Sequence, residues 1–135
     1  MSFEELPHTA DIKIRARAAT LGELFSDVLA ALMQVMYGID RSGGISREIT
    51  IEAPDSESLL TDILSEVLFV SEVDGLVFQK AEIRIDGSRL FARFDGEPFD
   101  PARHSGGTEV KGISYSGMSV KKDENGYMVE IVFDV

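Results

Sequence analysis

Apolar and polar residues alternate through residues 12–18, with isoleucine or alanine at every second position and basic residues between them. This period of two predicts a strand with one buried face. From Leu21 onward the apolar residues recur at spacings of three and four, which predicts an amphipathic helix. A capping box of Thr20 and Glu23 marks the start of that helix, and Gly38 marks its end.

The rest of the pattern adds one more helix and a series of strands. A second strand is predicted at residues 48–53, and a second helix begins at Pro54-Asp55-Ser56. Further strands are predicted at residues 76–85, 89–95, 109–115, 117–122 and 127–135, with hairpin turns at Asp86-Gly87 and Asn125-Gly126. This order predicts an α+β fold, in which two helices pack on a mixed, mostly antiparallel sheet as a two-layer sandwich. We expect one domain, residues 1–135.

Two aspartates stand at the ends of the first and last predicted strands, outside the apolar rows. Asp11 precedes the first strand, and Asp134 lies near the end of the last one, next to Val135. If these strands pair antiparallel, both aspartates and the α-carboxylate of Val135 converge. Oxygen-only ligands favour hard cations such as Ca²⁺ or Mg²⁺, so the pattern suggests a metal site. The competing interpretation is a strand-entry residue beside a frayed, solvated chain end.

Acidic residues outnumber basic ones by 24 to 13, which gives a net charge of -11. Such a field opposes contact with nucleic-acid phosphates, so we expect no direct nucleic-acid binding. A cation or a basic protein surface is a better match, although acidity that serves only solubility explains the same charge. The sequence has no apolar run of membrane-spanning length, no signal-peptide pattern at its start and no cysteine. The expected location is the cytoplasm, without membrane contact.

The other candidates for chemistry are two histidines, a lysine and a loop. His8 and His104 suit the same site or an acid–base role, but a single histidine before a strand is more often a hydrogen-bonded loop residue. Lys111 stands on an apolar row, and we expect it to extend to solvent or to pair with the acidic cluster. The long loop at residues 96–108 is a functional candidate or a mobile surface excursion. Classical enzyme signatures are absent, so a stand-alone enzyme is the weaker class.

Several short motifs, in order along essentially the whole chain, resemble the archease family. The motifs are His8-Thr9-Ala10-Asp11-Ile12, Thr20-Leu21-Gly22-Glu23-Leu24-Phe25, Ser58-Leu59-Leu60, Gly96-Glu97-Pro98-Phe99-Asp100, Glu109-Val110-Lys111-Gly112-Ile113-Ser114-Tyr115 and Val132-Phe133-Asp134-Val135. The departures are mild. Gly112, Ser114 and Ser116 stand where family members often have alanine, threonine and histidine.

This resemblance implies an accessory protein for the GTP-dependent RNA ligase of tRNA splicing, without catalytic activity of its own. Proteins of the family stimulate the attachment of GMP to a ligase histidine and allow multiple turnovers. The resemblance implies a divalent cation, calcium in the family with Mg²⁺ or Mn²⁺ as alternatives, at Asp11, Asp134 and Val135. It also implies a role in activation for Lys111, and His8 is a further candidate for partner contact.

Two other functions fit the residues. A general chaperone or modulator of RNA-processing enzymes, acting by binding alone, would be indifferent to metal chelation. A metal-dependent hydrolase needs an open metal position and a general base, for which His8 and His104 are the available groups. Turnover of phosphoesters by the chain alone would favour the hydrolase.

Overall fold

The elements of the fold are taken from a computed structural model, which describes residues 2–6, 11–114 and 118–135. The order of elements is β1 (Ser2–Leu6), β2 (Ile12–Ala18), α1 (Leu21–Tyr37), β3 (Ile45–Glu52), α2 (Ser56–Asp74), β4 (Leu76–Asp86), β5 (Arg89–Pro98), α3 (Pro101–His104), β6 (Gly112–Ser114), β7 (Val120–Asp123) and β8 (Gly126–Asp134).

The strands form two sheets, and every pair of neighbouring strands in them is antiparallel. The larger sheet has the order β1-β2-β8-β6, with β7 also paired to β8, and the smaller has the order β3-β5-β4. The helices pack against these sheets, so the predicted α+β fold with helices on antiparallel strands is confirmed. The sequence pattern had suggested one sheet, whereas the structure divides the strands between two.

Pairing between β2 and β8 gives the larger sheet its buried face. Ile12 lies opposite Phe133, and Ile14 lies opposite Ile131. Ile14, Ile131 and Phe133 are buried in the core. Since directly opposed residues share a face, the two apolar rows that the alternation predicted form one continuous surface under the helices.

Both long helices begin and end where the sequence predicts. The Thr20 hydroxyl accepts a hydrogen bond of 3.2 Å from the backbone N–H of Glu23 and caps α1. The Asp55 carboxylate accepts one of 2.8 Å from Ser58 and caps α2. Gly75, which ends α2, has a φ of 63°, a left-handed conformation that favours glycine. Local capping chemistry therefore decides these helix boundaries.

The pattern missed two elements and misplaced the bounds of others. β1 is an edge strand whose alternation is too short to stand out, and it pairs only with β2 among the described strands. β3 begins at Ile45 rather than at residue 48. β6 is shorter than the strand predicted at residues 109–115, and β7 is shorter than the strand predicted at residues 117–122. Residues 115 and 117, at the ends of these predicted strands, lie outside the described residues. Cross-strand partners, which the sequence does not reveal, decide these bounds.

α3 lies inside the segment that was predicted to be a loop at residues 96–108. Asp100 caps it by accepting a hydrogen bond of 3.0 Å from Ala102, and Pro101 occupies its first turn. Aspartate followed by proline is a helix-start signal, but the helix ends after one turn and leaves no apolar periodicity to detect. None of the helices in the described part of the chain is both long enough and apolar enough for a bilayer span.

We predict that Gly126→Ala destabilises the fold by about 1–3 kcal/mol. Gly126 has a φ of 129°, and a Cβ there would lie 2.3 Å from the carbonyl oxygen of Ala18. Gly106→Ala is the matched control, because a Cβ at Gly106 meets nothing within 4 Å and the φ is not positive. Chemical denaturation of both variants checks the prediction, and equal midpoints would contradict it.

Candidate metal centre

The β2–β8 register brings Asp11 and Asp134 to the same place on the sheet. Ile12 lies opposite Phe133, and this register continued by one residue places Asp11 opposite Asp134. Phe133 is fully buried, so Asp134 as the next residue points to the outer face. The Cβ atoms of opposed residues on neighbouring strands lie about 4.5–5.5 Å apart. This pairing ends next to both aspartates, and their convergence on a metal stays a prediction.

A glycine completes the row across three strands. Gly112 of β6 lies opposite Asp134, on the other side from Asp11. The Oδ2 atom of Asp134 is 3.7 Å from the position that a Cβ on Gly112 would take. A small residue is thus tolerated there, but a long side chain would lie over the carboxylate. The glycine therefore leaves Asp134 open on the β6 side.

Neighbouring basic residues on this face are already paired with other carboxylates. Lys13 lies 4.0 Å from Glu130, and Arg15 lies 3.4 Å from Glu130 and 3.3 Å from Glu4. Asp134 makes no ion pair with another described residue. Among the described side chains, the donors at this place are the carboxylate oxygens of Asp11 and Asp134, and oxygen ligands are what Ca²⁺ and Mg²⁺ select.

The side chains alone supply two ligands rather than three. Over the described residues, no group of three or more histidine, cysteine, aspartate or glutamate side chains is arranged to hold a metal. The third group that the resemblance implies is a main-chain carboxylate, that of Val135, whose side chain packs partly against the core. The metal site stays a prediction, and the structure establishes that Asp11 and Asp134 adjoin the end pair of the β2–β8 register, Ile12 and Phe133.

Three candidate residues from the sequence remain, and they are Lys111, His8 and His104. Lys111 is exposed and forms no ion pair with another described residue, although its backbone N–H donates a hydrogen bond of 2.7 Å to the carbonyl oxygen of Asp134. It therefore extends to solvent beside the carboxylates. His8 lies outside the described residues, as does Tyr115, which was expected to share a face with Lys111. His104 is held elsewhere, in a network of its own.

His104 is buried, with 1% of its surface exposed, and both of its ring nitrogens are occupied. Nδ1 accepts a hydrogen bond of 2.9 Å from the backbone N–H of Asp100. The ring proton is therefore on Nε2, which donates to the Glu97 carboxylate at 3.2 Å. His104 is thus a hydrogen-bonded residue at the end of α3, where the sequence had predicted a loop, and this network does not include the aspartate pair.

Arg103 joins three carboxylates in the same network. It pairs with Glu97, with Asp100 at 3.1 Å and with Asp40 at 3.4 Å. The hydrogen bond from Arg103 is the main reason that the pKa of Glu97 is lowered. The pKa of Asp100 is lowered chiefly by the backbone N–H of Ala102, and then by Arg103. Both acids are therefore held in their charged form.

Backbone contacts link this network to the aspartate pair. Thr108 donates a hydrogen bond of 2.8 Å to the carbonyl oxygen of Val35 near the end of α1, and Lys111 donates to Asp134. Three residues of chain, at most about 11 Å, separate these two anchors. A Cβ on Gly107 would lie 2.1 Å from the carbonyl oxygen of Met36, so the chain passes directly over the helix backbone there. The end of α1 and the aspartates consequently lie at the same end of the molecule.

Comparison with known proteins identifies the family. The model of the Archease protein family (MTH1598/TM1083) matches residues 3–135. A protein archease of Methanosarcina acetivorans is 37% identical over 139 residues, which cover 98% of this chain and 95% of that protein. This chain belongs to the archease family.

Solved structures agree with that assignment at the level of the fold. The solution structure of protein 1598 from Methanobacterium thermoautotrophicum aligns with a TM-score of 0.80 at 23% identity, and covers 98% of both chains. A crystal structure of "an archease, possible chaperone" from Thermotoga maritima aligns with a TM-score of 0.69 at 20% identity, covering 98% of this chain and 96% of the other. The resemblance drawn from the motifs is confirmed.

Sequence reasoning did not identify the roles of Glu97 and Arg103. Glu97 belongs to one of the motifs that carry the family resemblance, and Asp100-Pro101 is a helix-start signal three residues later. These signals place a turn of helix after Glu97. They do not show that Arg103 and His104 turn back onto the same carboxylate, because that requires the spatial path of the loop.

We predict that the network of Glu97, Asp100 and Arg103 makes the free energy of unfolding depend on pH in the acidic range. The pKa of Glu97 and of Asp100 is lowered in the folded state, so their contribution is present above the unfolded carboxyl pKa of about 4 and is lost as the pH falls through the folded values. Glu97→Gln should therefore flatten the fall in the free energy of unfolding on acidification. Denaturant melts across this pH range measure it.

Glu48→Gln is the control for that measurement. Glu48 lies on β3, is exposed and makes no ion pair with another described residue. A Glu97 variant whose acid profile matches both the wild type and the Glu48 variant would contradict the prediction.

Proposed function

We propose that this chain stimulates the GTP-dependent RNA ligase of tRNA splicing, through a divalent cation held by Asp11, Asp134 and the α-carboxylate of Val135. The cation is Ca²⁺, with Mg²⁺ or Mn²⁺ as alternatives. The observation that carries the proposal is the β2–β8 register, whose end pair, Ile12 and Phe133, adjoins Asp11 and Asp134 in a member of the archease family. The role is accessory, and the reaction belongs to the ligase.

The surroundings of the aspartates support a cation there. Two carboxylates on directly opposed residues repel each other, and a divalent cation turns that repulsion into attraction. The nearby cationic side chain of Lys13 is paired with Glu130, so it does not supply this charge to Asp134. Gly112 leaves the side of the row open to a ligand or partner.

The position of the pair suits a role at another protein's active site. Asp134 and Lys111 lie at the exposed end of the sheet, where a partner can approach them. A bound divalent cation would offset charge that develops on nucleotide phosphates. Asp11 and Asp134 would hold the cation at a rigid strand pair. The exposed Lys111 adds a second cationic group beside them.

A second candidate function is chaperone activity by binding alone. The description of the Thermotoga maritima relative as a possible chaperone favours it, and it also implies a protein partner. Under this alternative the aspartate pair and any bound cation are irrelevant to activity. Cytoplasmic residence stays a prediction under both functions.

We predict that Asp11→Asn and Asp134→Asn each lower the affinity for Ca²⁺ by at least about 10- to 100-fold. Losses of that size occur even when a residue that only hydrogen-bonds to a metal ligand is mutated. Each variant should also abolish stimulation of ligase guanylylation, since a missing carboxylate removes charge and a ligand together. Calorimetric titration with Ca²⁺ and single-turnover guanylylation with purified ligase measure the two effects. Chelation of the wild type should give the same loss.

Asp86→Asn is the matched control for these variants. Asp86 is exposed at the β4–β5 hairpin, and asparagine before glycine is equally compatible with that turn. Full stimulation by the Asp11 and Asp134 variants, with chelator or without it, would contradict the metal proposal and favour binding alone.

We predict that Lys111→Met separates activation from metal binding. The hydrogen bond to Asp134 comes from the Lys111 backbone, so the substitution leaves that contact in place. Affinity for Ca²⁺ should stay within about twofold, while stimulation of the ligase falls by roughly tenfold, the equivalent of about 1.4 kcal/mol. Lys80→Met, which removes an exposed lysine paired with Glu82, is the control. Equal stimulation by the two variants would exclude a role for the Lys111 side chain.

A further inference from the structure

The outward side of α2 carries a row of two acidic and two apolar residues. Asp62, Glu66, Phe69 and Val73 follow one another at spacings of four, three and four, which places them on one side of the helix. Phe69 stands two and a half turns beyond the fully buried Leu60, and therefore on the opposite side from the core. We call these four residues the α2 face.

The apolar half of the α2 face is open to solvent. Phe69 is 60% exposed and Val73 is 64% exposed, one helical turn apart. Phe99, another exposed aromatic residue, differs because its ring packs against Tyr37 and His104 at centroid distances of 5.9 Å. No ring contact within the described residues covers Phe69 in this way. Exposed apolar side chains grouped beside polar ones are typical of surfaces that bind another protein.

The acidic half of the α2 face selects the charge of the occupant. Asp62 and Glu66 make no ion pair with another described residue. Along the helix axis the face extends about 16 Å from Asp62 to Val73. A complementary surface therefore presents apolar side chains for Phe69 and Val73, and lysine or arginine about one to two helical turns away.

We propose that the α2 face is the docking surface for a protein partner whose contact region joins apolar side chains to basic ones. A second copy of this chain is a poor occupant, because each copy carries a net charge of -11 and would bring its own acidic row to the interface. The inference rests on the proposed function in one respect, since it takes the ligase as that partner.

The position of α2 lets one partner meet both the α2 face and the aspartates. The hydroxyls of Tyr37 and Ser71 lie 2.6 Å apart and join the ends of α1 and α2. The backbone N–H of Phe99 donates to the carbonyl oxygen of Gly75 at 2.8 Å, and the same segment continues towards Asp134. The C-terminal end of α2 thus lies at the end of the molecule that carries the aspartate pair.

Titration of purified ligase with variants of the full chain tests the inference. Phe69→Ser with Val73→Ser removes the apolar half, and Asp62→Lys with Glu66→Lys reverses the acidic half. Each pair should raise the dissociation constant for the ligase, and the concentration for half-maximal stimulation, by at least tenfold. At saturation the stimulation should reach the wild-type plateau, because the aspartate pair is intact.

Two controls make the result specific. Glu48→Lys with Glu124→Lys changes the net charge by the same amount at exposed positions outside α2, and should leave the dissociation constant within about twofold. Asp134→Asn should give the opposite result to the α2 variants, with binding retained and the plateau lost.

The outcomes separate the two proposals. Dissociation constants for the α2 variants within twofold of the wild type would overturn the docking inference and leave stimulation by the aspartate pair standing. Wild-type binding without stimulation would overturn the proposed function, and the docking inference would stand if the α2 variants weaken that binding. Absence of wild-type binding to the ligase would overturn both.

Discussion

The antiparallel pairing of β2 with β8 is the contact on which the rest of the molecule depends. Its register aligns the two apolar rows that meet the helices and, one residue further, places Asp11 opposite Asp134. A shift of one residue would turn the apolar rows to solvent, so burial of the core holds the register firmly. The same shift would move the aspartates to opposite faces of the pair. Core packing is therefore what keeps the candidate metal centre assembled.

The segment between β5 and β6 transmits this rigidity to the exposed end of the sheet. It contains one turn of helix, and hydrogen bonds and ion pairs hold it together with the buried side chain of Val110. Glu97 is the centre of that arrangement, because Arg103, His104 and the backbone N–H of Ser42 all donate to it. The anchored segment then leads Lys111 to the backbone of Asp134. A buried network here positions an exposed lysine and carboxylates at the surface.

The large acidic excess is distributed unevenly over the described surface. Around the larger sheet, Glu4 and Glu130 are paired with arginine or lysine and contribute little net field. Asp62 and Glu66 of the α2 face, and Asp134, form no ion pair with a described lysine or arginine. A negative surface of this kind attracts cations and basic protein surfaces and speeds their association at low salt. The acidic excess can therefore serve metal binding at the aspartates and partner recognition at the α2 face.

Periodicity and capping residues by themselves determined β2, β8 and both long helices, because alternation, caps and glycine ends are local. Strand parity also indicated that Asp11 and Asp134 share a face, and the ordered motifs indicated the family. Only the tertiary structure decided the division into two sheets, the edge strand β1, and the closure of Arg103 and His104 onto Glu97. It likewise decided that Phe69 and Val73 stay exposed. Each of these depends on which segments meet across long sequence separations, which no local pattern encodes.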